Sequence, residues 1–245
     1  MNKKTALVVG GSGGIGIEII KTFLESGIKV CATYCNNKKK LEELQEISKK
    51  EILIYKMDIT DETSVKSAFN QILTDHNQID IVVLSVAYPM KNKHVLNVEW
   101  KEFQEQLDIH TKGLVYVVQN LKEKIKAGHK IKFVILLTEA CIGKPPAGLS
   151  HYVTAKYSLM GLAKSMAVEL AKYNCTVNMV SPGMVDTSLI STFPPKMIEL
   201  TAESNPLKRI ATPKDIANVV LFLSKDDSDY LNGVNITVNG GGIML

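Results

Sequence analysis

The sequence predicts one doubly wound α/β domain over residues 1–245, with a seven-stranded parallel sheet and helices on both faces. Short apolar runs alternate with helix-length amphipathic stretches along the chain, an order typical of strand–helix–strand units with parallel strands. The runs are continuously apolar, as strands covered on both faces are. No linker, repeat or low-complexity segment divides the chain. Hydrophobic residues make up 45% and charged residues 22%, which excludes a disordered or collagen-like chain.

The predicted elements follow one another in regular order. The strands are Leu7–Val9, Lys29–Thr33, Ile52–Tyr55, Ile81–Leu84, Phe133–Leu137, Thr176–Val180 and Val234–Val238. The helices are Ile15–Glu25, Lys38–Lys49, Glu62–Thr74, Glu99–Lys126, Ser150–Lys172 and Pro213–Leu223. An apolar, proline-containing segment, residues 187–210, interrupts this order before the last helix. We expect it to form a lid over a site, because long irregular segments usually cover something; the alternative is a loop that only packs.

Charge and cysteine content narrow the class of protein. The 29 basic and 25 acidic side chains leave a net charge of +4, too weak to indicate nucleic acid or a membrane surface as a partner. No apolar run approaches the ~20 residues of a membrane span, and no secretory signal is recognisable. The four cysteines lack CxxC or zinc-like spacing, so we expect no metal site. Buried free thiols in a reducing cytoplasm are the favoured interpretation, with a Cys31–Cys35 bridge as the alternative.

A glycine-rich turn follows the first predicted strand and opens the first helix. It reads Gly10-Gly11-Ser12-Gly13-Gly14-Ile15-Gly16. Glycines at these positions permit a tight turn and a close approach to a pyrophosphate, and free N–H groups at the helix start then face the anion. We therefore expect a dinucleotide here, bound by Gly10, Ser12, Gly13 and Ile15.

The end of the second strand bears on which dinucleotide is bound. A ribose-binding acid usually lies about 20 residues beyond the glycines in proteins that use NAD. Tyr34 lies 34 − 16 = 18 positions after Gly16, and residues 32–40 contain no acid but several asparagines and lysines. This favours NADP(H) over NAD(H), with Tyr34 and Asn36 near the ribose. Lys39 and Lys40 are equally explained as the solvated start of a helix.

Tyr152 and Lys156 form a second candidate motif. The spacing of i and i+4 puts a phenol and an ammonium on one face of a helix. A neighbouring cation stabilises phenolate, so we expect Lys156 to lower the pKa of Tyr152 toward neutral pH. A tyrosine of that kind exchanges a proton with a carbonyl oxygen while a nicotinamide exchanges hydride.

Taken together, these motifs resemble the short-chain dehydrogenase/reductase family, whose fold is a single Rossmann-type domain. The resemblance covers nearly the whole chain and is greatest for the β-ketoacyl-carrier-protein reductase branch. The motifs that carry it are Val9–Gly16, Asp58-Ile59, Tyr152–Lys156, Ser181–Thr187, Asn232-Gly233 and Val238–Gly241.

The resemblance implies roles for individual residues. Asp58 and Ile59 would bind the adenine, and Lys156 the cofactor ribose. The nicotinamide carboxamide would be held by the segment that contains Pro182, Gly183, Val185 and Thr187. The last strand and the tail Gly240–Leu245 would help to build a homotetramer.

Three positions depart from the family pattern. The Asn-Asn-Ala-Gly after the fourth strand reads Leu84–Ala87 here, which leaves Ser85 and Ala87 as the cofactor contacts. His110 stands where the family has the asparagine that holds a water in the proton relay through the lysine. The expected serine after the fifth strand is replaced by Thr138 or Glu139, depending on the alignment.

We expect Thr138 rather than Glu139 to orient the substrate carbonyl. Adjacent side chains on a strand point to opposite faces, so both do not serve one site. A carboxylate beside Tyr152 would oppose phenolate formation, and burying it unpaired would be costly. The alternative is a Glu139 that is protonated, or paired with Lys156 or His110.

The expected function is an NADP(H)-dependent oxidoreductase that interconverts a ketone and a secondary alcohol. Tyr152 would protonate the oxygen, with Lys156, Thr138 and His110 as the other catalytic residues. The substrate is left open among an acyl chain on a carrier protein, a free secondary metabolite and a sugar-like polyol. A cofactor-binding regulator or scaffold with little turnover is the alternative function. Five lysines before the fifth strand suit an acidic carrier protein or are a solvated helix end: Lys122, Lys124, Lys126, Lys130 and Lys132.

Overall fold

The structure, a computed structural model, describes residues 3–48, 51–191 and 193–244. Seven strands in these ranges form one sheet in which every pairing is parallel, which confirms the predicted architecture. They are β1 (Thr5–Val9), β2 (Lys29–Tyr34), β3 (Ile52–Lys56), β4 (Ile81–Leu84), β5 (Lys132–Leu136), β6 (Thr176–Pro182) and β7 (Asn235–Val238). Their order across the sheet is β3-β2-β1-β4-β5-β6-β7.

Helices cover both faces of this sheet. They are α1 (Gly14–Glu25), α2 (Lys39–Ile47), α3 (Glu62–Asp75), α4 (Trp100–Leu107), α5 (Gly113–Asn120), α6 (Lys122–Lys126), α7 (Ser150–Leu170), α8 (Pro195–Ser204) and α9 (Pro213–Ser224). Leu7 and Val9 of β1 pack on the face covered by α3, α5 and α7, whereas Ala6 and Val8 pack on the face covered by α1, α2 and α9. Burial on both faces explains why the strands are continuously apolar.

The order of strands reverses beside β1, which pairs with β2 on one side and with β4 on the other. Such a reversal opens a crevice at the carboxyl ends of the strands, where ligands bind in open α/β sheets. Gly10 lies at this point with a φ of +80°, and a Cβ on it would lie 2.7 Å from the carbonyl oxygen of Ser85. Only glycine permits this approach between the ends of β1 and β4.

The predicted helix Glu99–Lys126 is interrupted in the structure. A π-helical segment, Asp108–Lys112, separates α4 from α5, and α6 follows after Leu121. The extra residue in a π turn shifts the apolar pattern, and it brings the His110 side chain into the interior. Gly113 begins α5 where a Cβ would lie 2.7 Å from Ile59 Cγ1, so the break is packed tightly against the end of β3.

The segment 187–210 is less irregular than its prolines indicate. It contains the short 3₁₀ turn Ser188–Ile190 and the helix α8, which begins at Pro195. Proline is tolerated there because the first helical N–H needs no intrahelical partner. Within the described ranges, no helix is long and apolar enough to cross a membrane.

Of the lysines before β5, Lys130 and Lys132 form ion pairs, whereas Lys122 and Lys126 are exposed. Lys132 is buried, and its ammonium donates to Ser228 Oγ at 2.9 Å and lies 2.8 Å from the Asp229 carboxylate. Lys130 lies 2.6 Å from the same carboxylate. These side chains lie at the amino end of β5, opposite the carboxyl ends of the strands, so a carrier bound there would not reach the crevice.

The cysteines differ from expectation at one position. All four are free, and Cys31, Cys141 and Cys175 are buried, but Cys35 is exposed just beyond β2. The alternative Cys31–Cys35 bridge is therefore wrong for this structure.

We predict that Gly16→Ala destabilises the protein. The new Cβ would lie 2.5 Å from the Gly10 carbonyl oxygen and 2.9 Å from Gly11 Cα, and backbone atoms cannot yield as flexible side chains do. Overpacking of this kind lowers the free energy of unfolding by about 2 kcal/mol or more, measured by urea denaturation. Gly27→Asn is the control, since nothing lies within 4 Å of its Cβ position and asparagine tolerates its φ of +73°. Equal losses in the two variants would contradict this packing.

Candidate active site

A cavity of about 690 Å³ lies at the carboxyl ends of the strands, above the crevice. Its floor is formed by the glycine-rich turn and by the ends of β4, β5 and β6. The segment after residue 187 and Ile243 of the tail form further parts of the wall. Sequence-predicted residues that line it are Gly13, Ile15, Ser85, Ala87, His110, Thr138, Tyr152, Lys156, Pro182, Gly183, Val185 and Thr187.

The first turn of α1 forms one end of this cavity. Its N-cap residue is Gly13, no side chain caps it, and no acidic residue lies in its first turn. Gly13, Gly14 and Ile15 all line the cavity, and a Cβ on Gly14 would lie 2.9 Å from Thr187 Cγ2. Uncapped N–H groups and absent Cβ atoms suit close approach of an anion, so these residues fit the phosphates of a dinucleotide.

Several predicted cofactor residues lie beside the cavity rather than in its wall. Asp58 Oδ1 accepts hydrogen bonds from Thr60 N at 2.9 Å and Thr60 Oγ1 at 2.7 Å, and Ile59 is buried against Gly113. Asp58 and Ile59 follow β3, and Tyr34 is the last residue of β2, so all three lie at the same edge of the sheet. The other such residues are Gly10, Ser12 and Asn36, which also follow β1 or β2.

The lysines after β2 are not equivalent. Lys38 forms an ion pair with Glu42, with a distance of 2.7 Å between Nζ and Oε1. Lys39 and Lys40 are exposed and have no ion-pair partner among the described residues. They are therefore the cations of this segment that remain available to an anionic ligand.

Tyr152 and Lys156 come together in the first two turns of α7. Lys156 is buried, and its Nζ donates to the carbonyl oxygen of Leu136 at 2.9 Å. The same Nζ lies 5.8 Å from the centre of the Tyr152 ring. The helix therefore brings both groups to the end of β5, as the i, i+4 spacing predicts.

The expected lowering of the Tyr152 pKa is wrong for this structure. Burial raises the pKa of Tyr152 to about 12, and the hydrogen bond with Thr138 offsets only part of that increase. Burial also lowers the pKa of Lys156 to about 8. Desolvation disfavours the charged form of each group, and it is the largest cause of both shifts.

Thr138 and Glu139 have different neighbours, but not because of strand alternation: β5 ends at Leu136, and Thr138 caps the 3₁₀ turn Glu139–Cys141. The Thr138 hydroxyl is bonded to the Tyr152 side chain and accepts from Ala140 N at 3.3 Å. Glu139 is half-buried and bonds the Asn239 side chain. Glu139 forms no ion pair with Lys156 or any other described residue, so the alternative of an ion pair in the site finds no support. Burial raises the pKa of its carboxyl, which is the direction of the other alternative, a protonated Glu139.

His110 is buried beside Tyr152, and their ring centres lie 6.2 Å apart in an edge-on arrangement. Burial, together with the Lys156 charge, holds its pKa well below the usual range, so the imidazole is neutral. Neither ring nitrogen has a hydrogen-bond partner among the described residues. A neutral imidazole offers one donor and one acceptor, which suits a group that passes a proton.

Sequence reasoning missed part of the cavity wall, namely Tyr88, Pro89 and Met90, which lie beyond the end of β4. Phe193 and Met197 also line the cavity, and they belong to the segment 187–210 that we expect to cover a site. A proline in an apolar stretch soon after a strand end, as at Pro89, is a signal that could have indicated the missed wall.

This combination defines a class: oxidoreductases that use a dinucleotide and a tyrosine as proton carrier. The chain matches a family model described as "Enoyl-(Acyl carrier protein) reductase" over residues 10–242. It is 30% identical over 247 residues to 3-oxoacyl-[acyl-carrier-protein] reductase FabG of Staphylococcus epidermidis, covering 98% of this chain and 99% of the relative. The same enzyme of Aquifex aeolicus is 30% identical over 97% of this chain and 96% of its own length.

Solved structures agree with this fold. The 3-ketoacyl-(acyl-carrier-protein) reductase of Brucella melitensis, complexed with NADH, has a TM-score of 0.90 at 26% identity over 98% of both chains. ElxO with NADP bound has a TM-score of 0.89 at 23% identity, covering 98% of this chain and 99% of its own, which supports the fold alone. The chain belongs to the short-chain dehydrogenase/reductase family, and it is an oxidoreductase.

We predict that the buried ammonium of Lys156 makes stability depend on pH. Its pKa falls from the ordinary 10.5 to about 8 on folding, so the unfolded chain binds more protons between these pH values and stability rises with pH there. From pH 8 to pH 10, the free energy of unfolding of the wild type should increase by about 2 kcal/mol relative to that of Lys156→Met. Urea denaturation measures it, with Lys164→Met on the exposed face of α7 as control. A flat difference for Lys156→Met would contradict the buried ammonium.

Proposed function

We propose that this protein reduces a ketone to a secondary alcohol with NADPH. The observation that carries the proposal is the position of Tyr152 beside Thr138 and buried Lys156, in a cavity that also contains the uncapped start of α1. Two named relatives, from S. epidermidis and A. aeolicus, are 3-oxoacyl-[acyl-carrier-protein] reductases.

Tyr152 is the proton donor to the carbonyl oxygen. A phenol with a pKa of about 12 stays protonated at neutral pH, the state required for reduction rather than for oxidation of an alcohol. Thr138 accepts or donates at the same oxygen and holds the phenol in place. The nicotinamide supplies the hydride when it is bound, and Pro182, Gly183, Val185 and Thr187 would hold its carboxamide.

Lys156 and His110 restore the proton of Tyr152. The pKa of Lys156, about 8, is close to working pH, so its ammonium gives up a proton readily. His110 stands at the family's relay asparagine and presents two unpartnered ring nitrogens beside Tyr152. A neutral imidazole between this pair and solvent serves the relay that an amide serves elsewhere in the family.

The substrate is a 3-oxoacyl group or a related ketone. Apolar side chains of the cavity favour an acyl chain over a sugar-like polyol: Val86, Met90, Leu149, Ile190, Phe193 and Met197. The departures from the family pattern at Ser85, His110 and Thr138 are what a regulator without turnover would rest on. The similarity to reductases does not favour it, and a binding protein has no need of a tyrosine beside a buried lysine. The carrier, when there is one, would approach the carboxyl ends of the strands and not the lysines before β5.

Three further features stay predictions. Residues 187–210 act as a lid, since this segment lines the cavity and belongs to no strand. The chain assembles as a homotetramer, with the last strand and the tail near an interface; Leu245 of that tail lies outside the described residues. It acts in the reducing cytoplasm, as its free cysteines indicate.

We predict that Tyr152→Phe removes turnover but not cofactor binding. The change deletes only the proton-donating oxygen, and positioned proton transfer contributes about 10²–10⁴ in rate. Turnover of a panel of activated ketones should fall by that factor, while NADPH affinity measured by fluorescence stays within about threefold. Tyr157→Phe, an exposed tyrosine on the same helix, is the control. Substantial turnover by Tyr152→Phe would refute the assigned proton donor.

We predict that NADPH binds more tightly than NADH, because residues 32–40 contain no acid and Lys39 and Lys40 are unpaired among the described residues. Fluorescence titration with both nucleotides measures the difference. The double variant Lys39→Gln with Lys40→Gln should lose about tenfold in NADPH affinity and leave NADH unchanged. Lys38→Gln is the matched control, since Lys38 is occupied by Glu42. Tighter NADH binding by the wild type would reverse the assignment.

A further inference from the structure

Glu139 lies in the wall between two cavities. The first is the cavity that contains Tyr152; the second, of about 600 Å³, lies between α8, the start of α9 and the glycine-rich tail. Residues that line both are Glu139, Gly183, Met184, Thr201 and Ile243. The second cavity therefore adjoins the catalytic cavity at Glu139, the residue after Thr138.

Glu139 is the uncompensated charge of the second cavity. The other charged residues in its described lining, Arg209 and Asp215, bond each other at 2.7 Å and 3.0 Å. The Glu139 carboxylate bonds only the neutral amide of Asn239, and no cation pairs with it within residues 3–48, 51–191 and 193–244. Burial raises the pKa of the Glu139 carboxyl, which disfavours its charged form in the absence of a cation. A positive charge placed beside it would stabilise the carboxylate, and a negative one would be repelled.

Glycine backbone and asparagine side chains flank this carboxylate. A Cβ on Gly183 would lie 3.2 Å from Glu139 Oε2 and 3.1 Å from Asn239 Cβ, and one on Gly242 would lie 3.8 Å from the same Oε2. The described neighbours of Glu139 on this side are therefore uncharged. Of the lysines in the main cavity, Lys156 is bonded to Leu136 O and Lys144 is exposed, and neither lines the second cavity.

We propose that Glu139 makes this enzyme selective for ketones that carry a cationic nitrogen on the arm entering the second cavity, and that it excludes ketones with a carboxylate there. The inference rests on the proposed ketone reduction. Thr138 and Tyr152 hold the carbonyl, so the adjacent Glu139 meets the substituent on one side of it. Opposite charge stabilises the bound arm, and like charge across the same short distance destabilises it.

Three esters of 3-oxobutanoate test the proposal. Their alcohol parts are choline, its uncharged isostere 3,3-dimethylbutanol, and 3-hydroxypropanoate. For the wild type with saturating NADPH, we expect kcat/KM for the choline ester about tenfold above the uncharged ester, and that for the carboxylate ester about tenfold below it. In Glu139→Gln the three values should converge to within about threefold. Glu203→Gln, an exposed acid on α8 outside both cavities, should keep the wild-type order.

The outcomes separate the two proposals. Reduction of the uncharged ester by the wild type, with equal kcat/KM for all three esters, would overturn the role of Glu139 and leave ketone reduction standing. A charge order that persists in Glu139→Gln would do the same. No reduction of any ester or other activated ketone would instead overturn the proposed function. If Glu139→Gln does not fold, Glu139→Ser takes its place, with the same convergence of the three kcat/KM values expected.

Discussion

The close approach of the glycine turn after β1 to the end of β4 is the constraint on which the rest of the structure depends. Gly10 can approach Ser85 only because it has no Cβ, and Gly16 returns the chain over Gly10 for the same reason. These contacts let α1 begin directly above the point where the strand order reverses. The start of α1, with no side-chain cap, therefore faces the same crevice as the ends of β4, β5 and β6. Cofactor site and reaction site share one cavity because this turn is so tight.

Burial sets the chemistry of the site at a cost in stability. The pKa of Tyr152 is raised and that of Lys156 is lowered by the same loss of water. The consequence for Tyr152 is a phenol that stays protonated until a substrate oxygen accepts its proton. The consequence for Lys156 is an ammonium less stable in the folded than in the unfolded chain. His110 adds two buried ring nitrogens that have no hydrogen-bond partner among the described residues. The buried polar groups of the site therefore lower the stability of the fold, and the packing of the sheet must offset this loss.

Local sequence patterns predicted the sheet well because each strand is buried on both faces and is apolar at every position. They failed at the π-helical segment between α4 and α5, where one extra residue in a turn shifts the apolar pattern of the helix. The apolar spacing of Glu99–Lys126 is compatible with one long helix, but the tight contact between Gly113 and Ile59 coincides with a π turn at Asp108–Lys112. That contact joins positions 54 residues apart (113 − 59), which no local window includes. The pKa of Tyr152 was mispredicted for a similar reason, since i, i+4 spacing reveals a neighbouring cation but not the depth of burial.

The pair Thr138 and Glu139 shows how far local geometry extends into specificity. The chain leaves β5 at Leu136, and the 3₁₀ turn Glu139–Cys141 begins directly after Thr138. This turn leaves Thr138 beside Tyr152 and places Glu139 beside Gly183. The surroundings of the second side chain depend on residues far along the chain, Gly183 and Asn239, which β6 and the segment after β7 bring beside β5. The Glu139 carboxylate, which is unsuited to the proton-transfer site, thus lies in the wall between that site and the second cavity. In the proposed role, the charge of Glu139 acts on the substituent of the substrate and not on the phenol. Thr138 then serves the reaction, and its neighbour Glu139 serves recognition of the substrate.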